Sequence, residues 1–282
     1  MTAVVVTGGT RGIGAGLVRA LLARGARVAF CGRSAESVAT ALATLRSDAS
    51  VPAGAEVLGV RADVTDRADV SVLWSTAAEA FGGVDIWINN AGTNHARRPL
   101  WELPPAELDG VLAANLGGVA RASAVVLAAM IEQGRGALWN MEGFGSNGQA
   151  RPGLTGYGAS KRAVTYLTDG LAKELAAAGV ADRVTVHHLS PGIVVTDLLT
   201  HDYPPDELAK AKKIFNILGD RVETVTPWLA DRVLAGGRNG SRAAWLTSRK
   251  AAARFAVAGF RKRDLFGDSV GVPAVTRREH LS

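Results

Sequence analysis

The sequence predicts an α/β fold, with helices on both faces of a doubly wound parallel sheet. Short apolar runs rich in β-branched residues alternate along the chain with amphipathic segments of helix length. A glycine-rich loop joins the first of these runs to the first helix, and polar residues follow several of the others. Because ligands of such sheets bind at the carboxyl ends of the strands, these loops are the predicted binding region.

The composition is that of one large domain with a sizeable core. Of the 282 residues, 48% are hydrophobic, and the single cysteine, Cys31, excludes an internal disulfide and a cysteine-rich metal site. No apolar run is long enough to span a bilayer, and the first residues lack the basic segment of a signal peptide, so we expect a cytoplasmic protein. His187, His188 and His201 have no carboxylate at metal-ligand spacing, so we expect no metal.

The formal net charge of +6 is unevenly placed along the chain. The first 200 residues contain 17 basic and 17 acidic side chains, whereas residues 201–282 contain 15 and 9. This excess indicates either an anionic surface or ligand near the C-terminal part or a solvated basic face. No nucleic-acid recognition motif accompanies the charge, so we expect no nucleic acid partner.

Residues 3–7 form the first predicted strand, and a loop with Gly8, Gly12 and Gly14 follows it. Glycines permit a tight turn and a close approach of the backbone to a pyrophosphate, and the N-terminus of the next helix favours an anion. The order of strand, glycine loop and helix therefore predicts a dinucleotide site. The alternative is a purely structural glycine turn.

The second predicted strand and its exit, residues 27–34, indicate which dinucleotide binds. A site for NAD usually has an acidic side chain here for the adenosine 2′-hydroxyl, but this chain has Cys31, Gly32 and Arg33. Arg11 in the glycine loop adds a second guanidinium. Two arginines without an acid suit a 2′-phosphate, which predicts NADP(H); the alternative is that one arginine only faces solvent.

The remaining elements continue the alternation of strands and helices. Helices are predicted at residues 35–45, 68–81, 105–133, 227–234 and 248–260, and strands at 56–60, 84–88 and 243–246. Asp63, Asn90 and Gly92 lie just beyond strand ends, where a ligand is expected.

Tyr157 and Lys161 are four residues apart in a predicted helix, so both lie on one face of it. A free tyrosine has a pKa of about 10 and is a poor acid near neutrality. A nearby ammonium group favours the phenolate and lowers that pKa, which would make the pair a usable proton donor. The spacing alone occurs by chance in many helices.

Five short motifs occur in the order of one known family: Thr7-Gly8 with Gly12 and Gly14, Asn89-Asn-Ala-Gly92, Asn115, Tyr157 with Lys161, and Ser190-Pro-Gly192. With these motifs, residues 2 to about 200 resemble the short-chain dehydrogenase/reductase family. The resemblance implies a single Rossmann-type domain with a seven-stranded sheet. It also implies a homo-oligomer and hydride transfer between a nicotinamide and a carbonyl or alcohol carbon.

The resemblance further implies a role for each matching residue. Tyr157 is the acid/base, Lys161 holds the nicotinamide ribose and lowers the tyrosine pKa, and Asn115 anchors a water in the proton relay. The implied cofactor site consists of Gly8, Thr10, Arg11, Gly12, Ile13, Gly14, Arg33, Ser34, Asp63, Val64, Asn90, Ala91, Gly92, Tyr157, Lys161, Pro191, Gly192, Val194 and Thr196.

The chain departs from this family at the catalytic serine. The usual Asn-x-Ser-Ser is Asn140-Met-Glu-Gly143 here, and the thirteenth position before the tyrosine is Phe144. Ser146 is therefore predicted to bind the carbonyl oxygen from a slightly longer loop. The alternatives are that Ser146 is only a turn residue, and that Asn147, Glu142 or no serine serves instead.

The residues at this departure, Asn140-Met-Glu-Gly-Phe-Gly-Ser146, resemble the chlorophyll b reductase branch of the family. The similarity to this branch extends to about residue 265. This resemblance implies reduction of a formyl group on a large hydrophobic substrate. Residues 197–225, the expected substrate lid, have an apolar face that suits such a substrate or ordinary helix packing equally well. That face consists of Leu198, Leu199, Tyr203, Ile214, Phe215, Ile217 and Leu218.

We expect the Rossmann domain to cover residues 1–266, with a C-terminal helical part at 226–266 and a loose tail at 267–282. The basic stretch 248–263 can associate weakly with an anionic membrane surface or, as we favour, pack against the core or a partner subunit. The leading hypothesis is an NADPH-dependent carbonyl reductase acting on a hydrophobic small molecule. The alternative is a non-catalytic NADP-binding sensor or scaffold on the same fold.

Overall fold

The computed structural model describes residues 1–203, 205–260 and 263–267. Its main strands are β1 (Ala3–Val6), β2 (Arg27–Gly32), β3 (Val57–Arg61), β4 (Ile86–Asn89), β5 (Gly136–Met141), β6 (Val184–Ser190) and β9 (Arg242–Ala244). They form one sheet in the order β3-β2-β1-β4-β5-β6-β9, with every neighbouring pair parallel. Two short strands, β7 (Val194–Val195) and β8 (Asp220–Arg221), pair with each other. The predicted doubly wound, seven-stranded parallel sheet is confirmed.

Helices connect the strands on both faces of this sheet. They are α1 (Gly12–Leu22), α2 (Ala35–Ser47), α3 (Arg67–Phe81), α4 (Pro105–Leu112), α5 (Val119–Gln133), α6 (Thr155–Ala177), α7 (Asp197–Thr200), α8 (Pro205–Leu218), α9 (Val222–Ala235) and α10 (Ser248–Val257). A 3₁₀ turn covers Leu100–Glu102, and a π-helical turn, Ala113–Gly118, joins α4 to α5.

The first strand shows how the sheet is buried on both faces. Val4 and Val6 pack with the apolar side chains of α1 and α9, whereas Ala3 and Val5 pack with those of α3 and α5. All four are fully buried. Side chains of a strand alternate between faces, so a run without polar residues requires a covering layer on each side, as predicted.

The helix predicted at 227–234 begins earlier, at Val222, and contains Pro227. A proline inside a helix removes one backbone hydrogen bond and usually marks an end. Here Val222 and Thr226 lie so close to Gly16 of α1 that a Cβ there would overlap them. This packing between α9 and α1 stabilises the helical turn that precedes the proline.

The helix Pro105–Gln133 is long and apolar enough, by length and composition, to cross a membrane. The expectation that no such run exists is therefore wrong. Its apolar composition has an explanation in the fold, because Ala122, Val126 and Met130 are fully buried against the sheet.

Buried polar side chains fasten the sheet to its helices at the carboxyl ends of β4 and β5. The amide of Asn89 donates to Asn140 Oδ1 at 2.9 Å and to Ser123 Oγ of α5 at 3.3 Å. The amide of Asn140 in turn donates to Thr168 Oγ1 of α6 at 2.9 Å. Since a buried polar group is costly unless it is paired, these bonds fix where α5 and α6 lie relative to the strand ends.

The C-terminal part packs against the segment expected to form the lid. Asp220, which is 3% exposed, pairs with Arg254 and with Arg263, each at 2.8 Å. The stretch 248–263 was expected either to associate with a membrane surface or to pack against protein. The contacts of Arg254 and Arg263 show that these two residues pack against the protein. Residues 261, 262 and 268–282, which include nearly all of the predicted tail, lie outside the described residues.

Candidate active site

The glycine loop between β1 and α1 has the shape of a phosphate cradle. Gly8 and Gly12 have φ angles of +65° and +57°, which favour glycine. A Cβ on Gly14 would overlap the Gly8 carbonyl oxygen, whereas one on Gly12 would meet only Thr196 Cγ2, at 3.5 Å. Helix α1 has no side-chain cap at Arg11, so its first N–H groups are free to bind an anion. These features fit a dinucleotide pyrophosphate between Gly12 and Thr196.

Asn90 supports this cradle from β4. Its amide donates to the carbonyl oxygens of Thr7 at 2.9 Å and Gly8 at 3.1 Å. The Thr7 hydroxyl accepts hydrogen bonds from the N–H groups of Asn90 and Ala91, at 3.0 and 3.1 Å. Asn90 and Ala91 therefore hold the glycine loop in place, which explains why the two motifs occur together.

The glycine loop and the loop after β2 each have an exposed basic side chain. Arg11 and Arg33 are exposed, and Ser34 caps α2 by accepting from the Ser37 N–H at 3.2 Å. The Thr65 N–H lowers the pKa of Asp63, burial opposes this shift, and the nearby Arg33 guanidinium adds to the lowering. The exit of β2 thus presents guanidinium groups, as expected for a 2′-phosphate site.

A histidine fixes the start of α6, where Tyr157 lies. His95 Nε2 accepts the Tyr157 backbone N–H at 3.1 Å, and His95 Nδ1 donates to the Ala96 carbonyl at 2.7 Å. The ring is 3% exposed, and these two partners require the tautomer protonated at Nδ1. His95 thereby serves as a helix cap supplied from the loop after β4.

Tyr157, Lys161 and Asn115 come together at the carboxyl end of β5. The Lys161 ammonium lies 6.0 Å from the centre of the Tyr157 ring and donates to the Met141 carbonyl at 3.2 Å. A Cβ on Gly92 would be 3.0 Å from Asn115 Oδ1 and 3.8 Å from Lys161 Nζ, so both the asparagine and the lysine lie close to this glycine.

The π-helical turn gives Asn115 its position. Asn115 is fully buried, accepts from the Thr93 N–H at 2.8 Å and donates to Ser160 Oγ at 3.2 Å. The Ser160 hydroxyl donates to the Tyr157 carbonyl at 2.7 Å. Such turns often occur at functional sites, and this one links the long helix to the first turn of α6.

The electrostatics of the pair differ from the expectation that Lys161 lowers the tyrosine pKa. Burial raises the pKa of Tyr157 to about 12, and the opposing charge is that of Arg97. Burial also lowers the pKa of Lys161 to about 8, against the effect of the Glu142 carboxylate. In this structure Tyr157 is therefore a protonated phenol at neutral pH, and the lysine loses its charge in the mildly alkaline range.

Ser146 lies beside this group, but its hydroxyl is turned towards the protein backbone. It accepts from the Gly143 N–H at 3.1 Å and donates to the Lys161 carbonyl at 3.3 Å. The hydrogen bonds of the described residues do not include the expected one to Tyr157. Gly145 has a φ of +96° and lies so close to Gly158 that the loop is flat against α6, which directs Ser146 to the helix backbone.

A model of the short chain dehydrogenase family matches residues 2–206. The chain belongs to this family. It is 37% identical over 240 residues to chlorophyll(ide) b reductase NOL of Arabidopsis thaliana, covering 84% of this chain and 67% of that protein. It is 33% identical over 257 residues to the probable chlorophyll(ide) b reductase NYC1 of Oryza sativa subsp. japonica, covering 86% of this chain and 49% of that one.

Solved structures agree with the family assignment. The crystal structure of levodione reductase superposes with a TM-score of 0.76 at 27% identity, covering 89% of this chain and 98% of that one. The predicted membership in the short-chain family, in its chlorophyll b reductase-like branch, is confirmed, and this dehydrogenase is an oxidoreductase of the kind that uses NAD(P)(H).

The expectation of a cytoplasmic location is wrong. The NOL and NYC1 relatives are chloroplastic proteins, which points to the plastid rather than the cytoplasm. The expectation rested on composition and on the character of the first residues, and neither determines the compartment of a folded domain.

Two further parts of the dehydrogenase were predicted to border the site, namely the loop after β6 and the lid. Gly192, with a φ of +73°, packs against Leu246, and the loop that contains Pro191 and Val194 continues to Thr196, opposite the glycine loop. In the lid, Phe215 is 5% exposed whereas Ile214 is 44% exposed. The predicted apolar face is therefore divided, with Phe215 facing inwards and Ile214 facing outwards.

Glu142, one of the alternatives to Ser146, lies in a buried polar cluster that sequence patterns did not indicate. It is 5% exposed, pairs with Arg242 at 2.9 Å and with His188 Nδ1 at 3.1 Å, and accepts from the Thr165 hydroxyl at 3.3 Å. Burial raises the pKa of Glu142, but the bond to His188 and the Arg242 charge outweigh it, so the net shift is downward. The only sequence signal was an acid at a strand end between apolar Met141 and Gly143.

His187 and His201 are engaged in structural contacts. His187 stacks on Trp139 with ring centres 4.3 Å apart, and its nitrogens bond to Ser241 and Thr185. His201 pairs with Asp202 at the surface. Within residues 1–203, 205–260 and 263–267, no three metal-ligating side chains of His, Cys, Asp or Glu come together.

Proposed function

We propose that this short-chain dehydrogenase is an NADPH-dependent carbonyl reductase, chlorophyll b reductase-like, acting on the formyl or keto group of a bulky hydrophobic substrate. The observation that supports it best is the convergence of Tyr157, Lys161 and Asn115 next to a glycine loop that fits a dinucleotide. The similarity to chlorophyll(ide) b reductases supports a formyl substrate.

Each group in the site has a separate task in this proposal. When bound, the reduced nicotinamide cofactor supplies the hydride. Tyr157 donates a hydrogen bond and then a proton to the carbonyl oxygen as negative charge develops there. Lys161 holds the ribose and stabilises the phenolate that remains, and Asn115 positions the water through which the proton is replaced.

The cofactor is proposed to bind along the carboxyl ends of the strands. The N–H groups of Gly12, Ile13 and Gly14 and the Thr196 hydroxyl would contact the pyrophosphate, and Arg11, Arg33 and Ser34 would contact the 2′-phosphate. Thr10, Asp63 and Val64 border the adenosine, and Gly92, Pro191, Gly192 and Val194 border the nicotinamide.

We also propose a homo-oligomer that assembles through α5 and α6, because these helices carry exposed apolar residues. Ile131 is 43% exposed and Tyr166 is 82% exposed. Light scattering on the purified chain gives the subunit number. A monomer at micromolar concentration would contradict the proposed assembly.

One observation favours a non-catalytic NADP-binding sensor or scaffold instead. No serine hydroxyl bonds to Tyr157 among the described residues, and Gly143 occupies the position of the family's serine. A sensor would bind NADPH without consuming it, so turnover decides between the two functions.

The test is NADPH oxidation in the presence of formyl tetrapyrroles, aromatic aldehydes and bulky ketones. We expect turnover with at least one formyl compound, its loss in Tyr157→Phe with nearly unchanged NADPH affinity, and its retention in Tyr166→Phe. The exposed Tyr166, on the same helix, controls for loss of a phenol as such. Turnover that survives in Tyr157→Phe would contradict the mechanism.

A further inference from the structure

Two arginines converge on one tyrosine of the lid. The Arg97 guanidinium lies over the Tyr203 ring, 3.5 Å from its centre, and Arg151 donates to the Tyr203 hydroxyl at 3.4 Å. Arg97 follows β4, and Arg151 precedes α6, so the two reach the lid from the two loops that frame Tyr157. Gly153 packs against the Arg97 backbone, where a Cβ would lie 3.4 Å from the Arg97 carbonyl carbon, and this contact joins the loops.

The Arg97 guanidinium has a donor without an acceptor. One terminal nitrogen donates to the Leu199 carbonyl at 3.3 Å, but the buried Nε has no partner among the described residues. A buried unpaired donor costs free energy, and the cost is greater for a charged group. Burial lowers the pKa of Arg97, and the neighbouring Arg151 charge lowers it further, although Tyr203 opposes the shift.

Neither arginine forms a direct ion pair in the part of the chain that the structure describes, although the Glu207 carboxylate is near enough to oppose the lowering of the Arg97 pKa. By contrast Arg254, which is mostly buried, pairs directly with Asp220 at 2.8 Å. Two neighbouring guanidiniums that repel each other and have no directly paired carboxylate form a site complementary to an anion.

The contacts of these arginines are not with the residues proposed to hold the cofactor phosphates. The pyrophosphate cradle lies at Gly12 and Thr196, and the 2′-phosphate site lies at the exit of β2. Arg97 lies instead on the substrate side, close enough for its charge to oppose the raised pKa of Tyr157. Both groups that cover it, the Leu199 carbonyl and the Tyr203 ring, belong to the lid, so displacement of the lid exposes the guanidinium to a substrate.

We propose that Arg97, together with Arg151, binds a carboxylate group of the carbonyl substrate, so that the enzyme selects a carboxylic acid over its ester. This carboxylate site rests on the proposed carbonyl reduction, because it would bind the substrate of that reaction. The Tyr203 ring holds the guanidinium plane from one face, which leaves the N–H edge for a planar carboxylate. The substrate class is thus a large apolar carbonyl compound with a free acid group.

The test compares binding of two probes by the protein saturated with NADP⁺, which prevents reduction. The probes are a formyl tetrapyrrole with a free propionic acid and the same compound as its methyl ester, followed by quenching of tryptophan fluorescence. The variants are Arg97→Met, whose apolar chain still packs on Tyr203, Arg97→Lys, and the control Arg98→Met. Arg98 is exposed and adjacent, so the control removes an equal charge.

We expect wild type and Arg98→Met to bind the acid about 10- to 100-fold more tightly than the ester, as for one charged hydrogen-bonding group. Arg97→Met should bind both equally, and Arg97→Lys should keep part of the preference. A purely structural role of Arg97 would weaken both probes alike. The carboxylate site would be overturned if wild type bound the acid and the ester equally, or if it did not bind the acid. It would also be overturned if Arg98→Met lost as much of the acid preference as Arg97→Met.

NADPH oxidation with the same two probes separates this inference from the proposed function. An acid preference that depends on Arg97, without oxidation of NADPH by either probe, supports the carboxylate site and overturns carbonyl reduction of these compounds. Reduction of both probes, with equal binding, supports the reductase and overturns the carboxylate site.

Discussion

Gly143 lies directly against the Tyr157 hydroxyl, so that a Cβ on residue 143 would be 2.5 Å from the phenolic oxygen. The same atom would be 3.2 Å from Lys161 Cγ. The family's usual serine position is therefore adjacent to the tyrosine, as its role requires, but here the tyrosine itself fills the space of a side chain. The loop 142–148 thus approaches Tyr157 so closely that position 143 has no room for a side chain.

Gly143→Ala should displace Tyr157 and lower kcat by about 10- to 100-fold, because overpacking a filled site costs roughly 1–3 kcal/mol. Gly170→Ala is the control. Gly170 lies in α6, the helix that contains Tyr157, and nothing lies within 4 Å of a Cβ at that position. The measurement is steady-state NADPH oxidation with the best formyl substrate. Unchanged kcat in Gly143→Ala would mean that the close contact is not kept during turnover.

Arg33→Ala should raise the Kd for NADPH about tenfold or more and leave that for NADH nearly unchanged, because only NADPH has the 2′-phosphate. Arg46→Ala, an exposed arginine at the end of α2, removes the same charge away from the site and should change neither value. Calorimetric titration of the three proteins gives the constants. Equal wild-type affinities for the two cofactors would refute the preference for NADP(H).

Ser146→Ala should lower kcat by only about fivefold to tenfold, since the hydroxyl bonds to Gly143 and Lys161 and the loss of such a bond costs about 1 kcal/mol. A side chain that binds the developing oxyanion would cost about 100- to 1000-fold instead. The size of the decrease therefore distinguishes the loop contact seen here from the role predicted from the sequence. A loss of 100-fold or more would establish the latter.

The rate of reduction should fall as the pH rises through about 8, where Lys161 loses its proton. Its pKa is lowered by burial, so the charged form needed for catalysis predominates below that pH and disappears above it. Tyr157, with a pKa raised to about 12, stays protonated throughout and does not limit the donor. The measurement is kcat/KM against pH.

Glu142→Gln should move the falling limb of that profile to lower pH. The Glu142 carboxylate opposes the lowering of the Lys161 pKa, and the amide would remove this effect. The substitution keeps the size of the side chain and tests charge alone. A profile unchanged by the substitution, or shifted to higher pH, would contradict the coupling between the two residues.

Much of the fold and part of the site could be predicted because they depend on relationships between residues close together in the chain. The alternation of apolar runs predicts the parallel sheet, and the glycine spacing predicts the loop between β1 and α1. Tyr157 and Lys161 share a helix face because they are four residues apart. Each of these relationships follows from the period of a strand or helix, which a single sequence displays directly.

The tertiary structure decided the rest, because the relevant partners are far apart in sequence. His95 caps α6 from 62 residues away, Glu142 meets His188 across 46 residues, and Arg97 reaches Leu199 across 102. The direction of the Ser146 hydroxyl depends on how the loop packs against Gly158. No local period encodes such contacts, since they arise only when the sheet brings the ends of its strands to one edge, where buried donors and charges must then find partners.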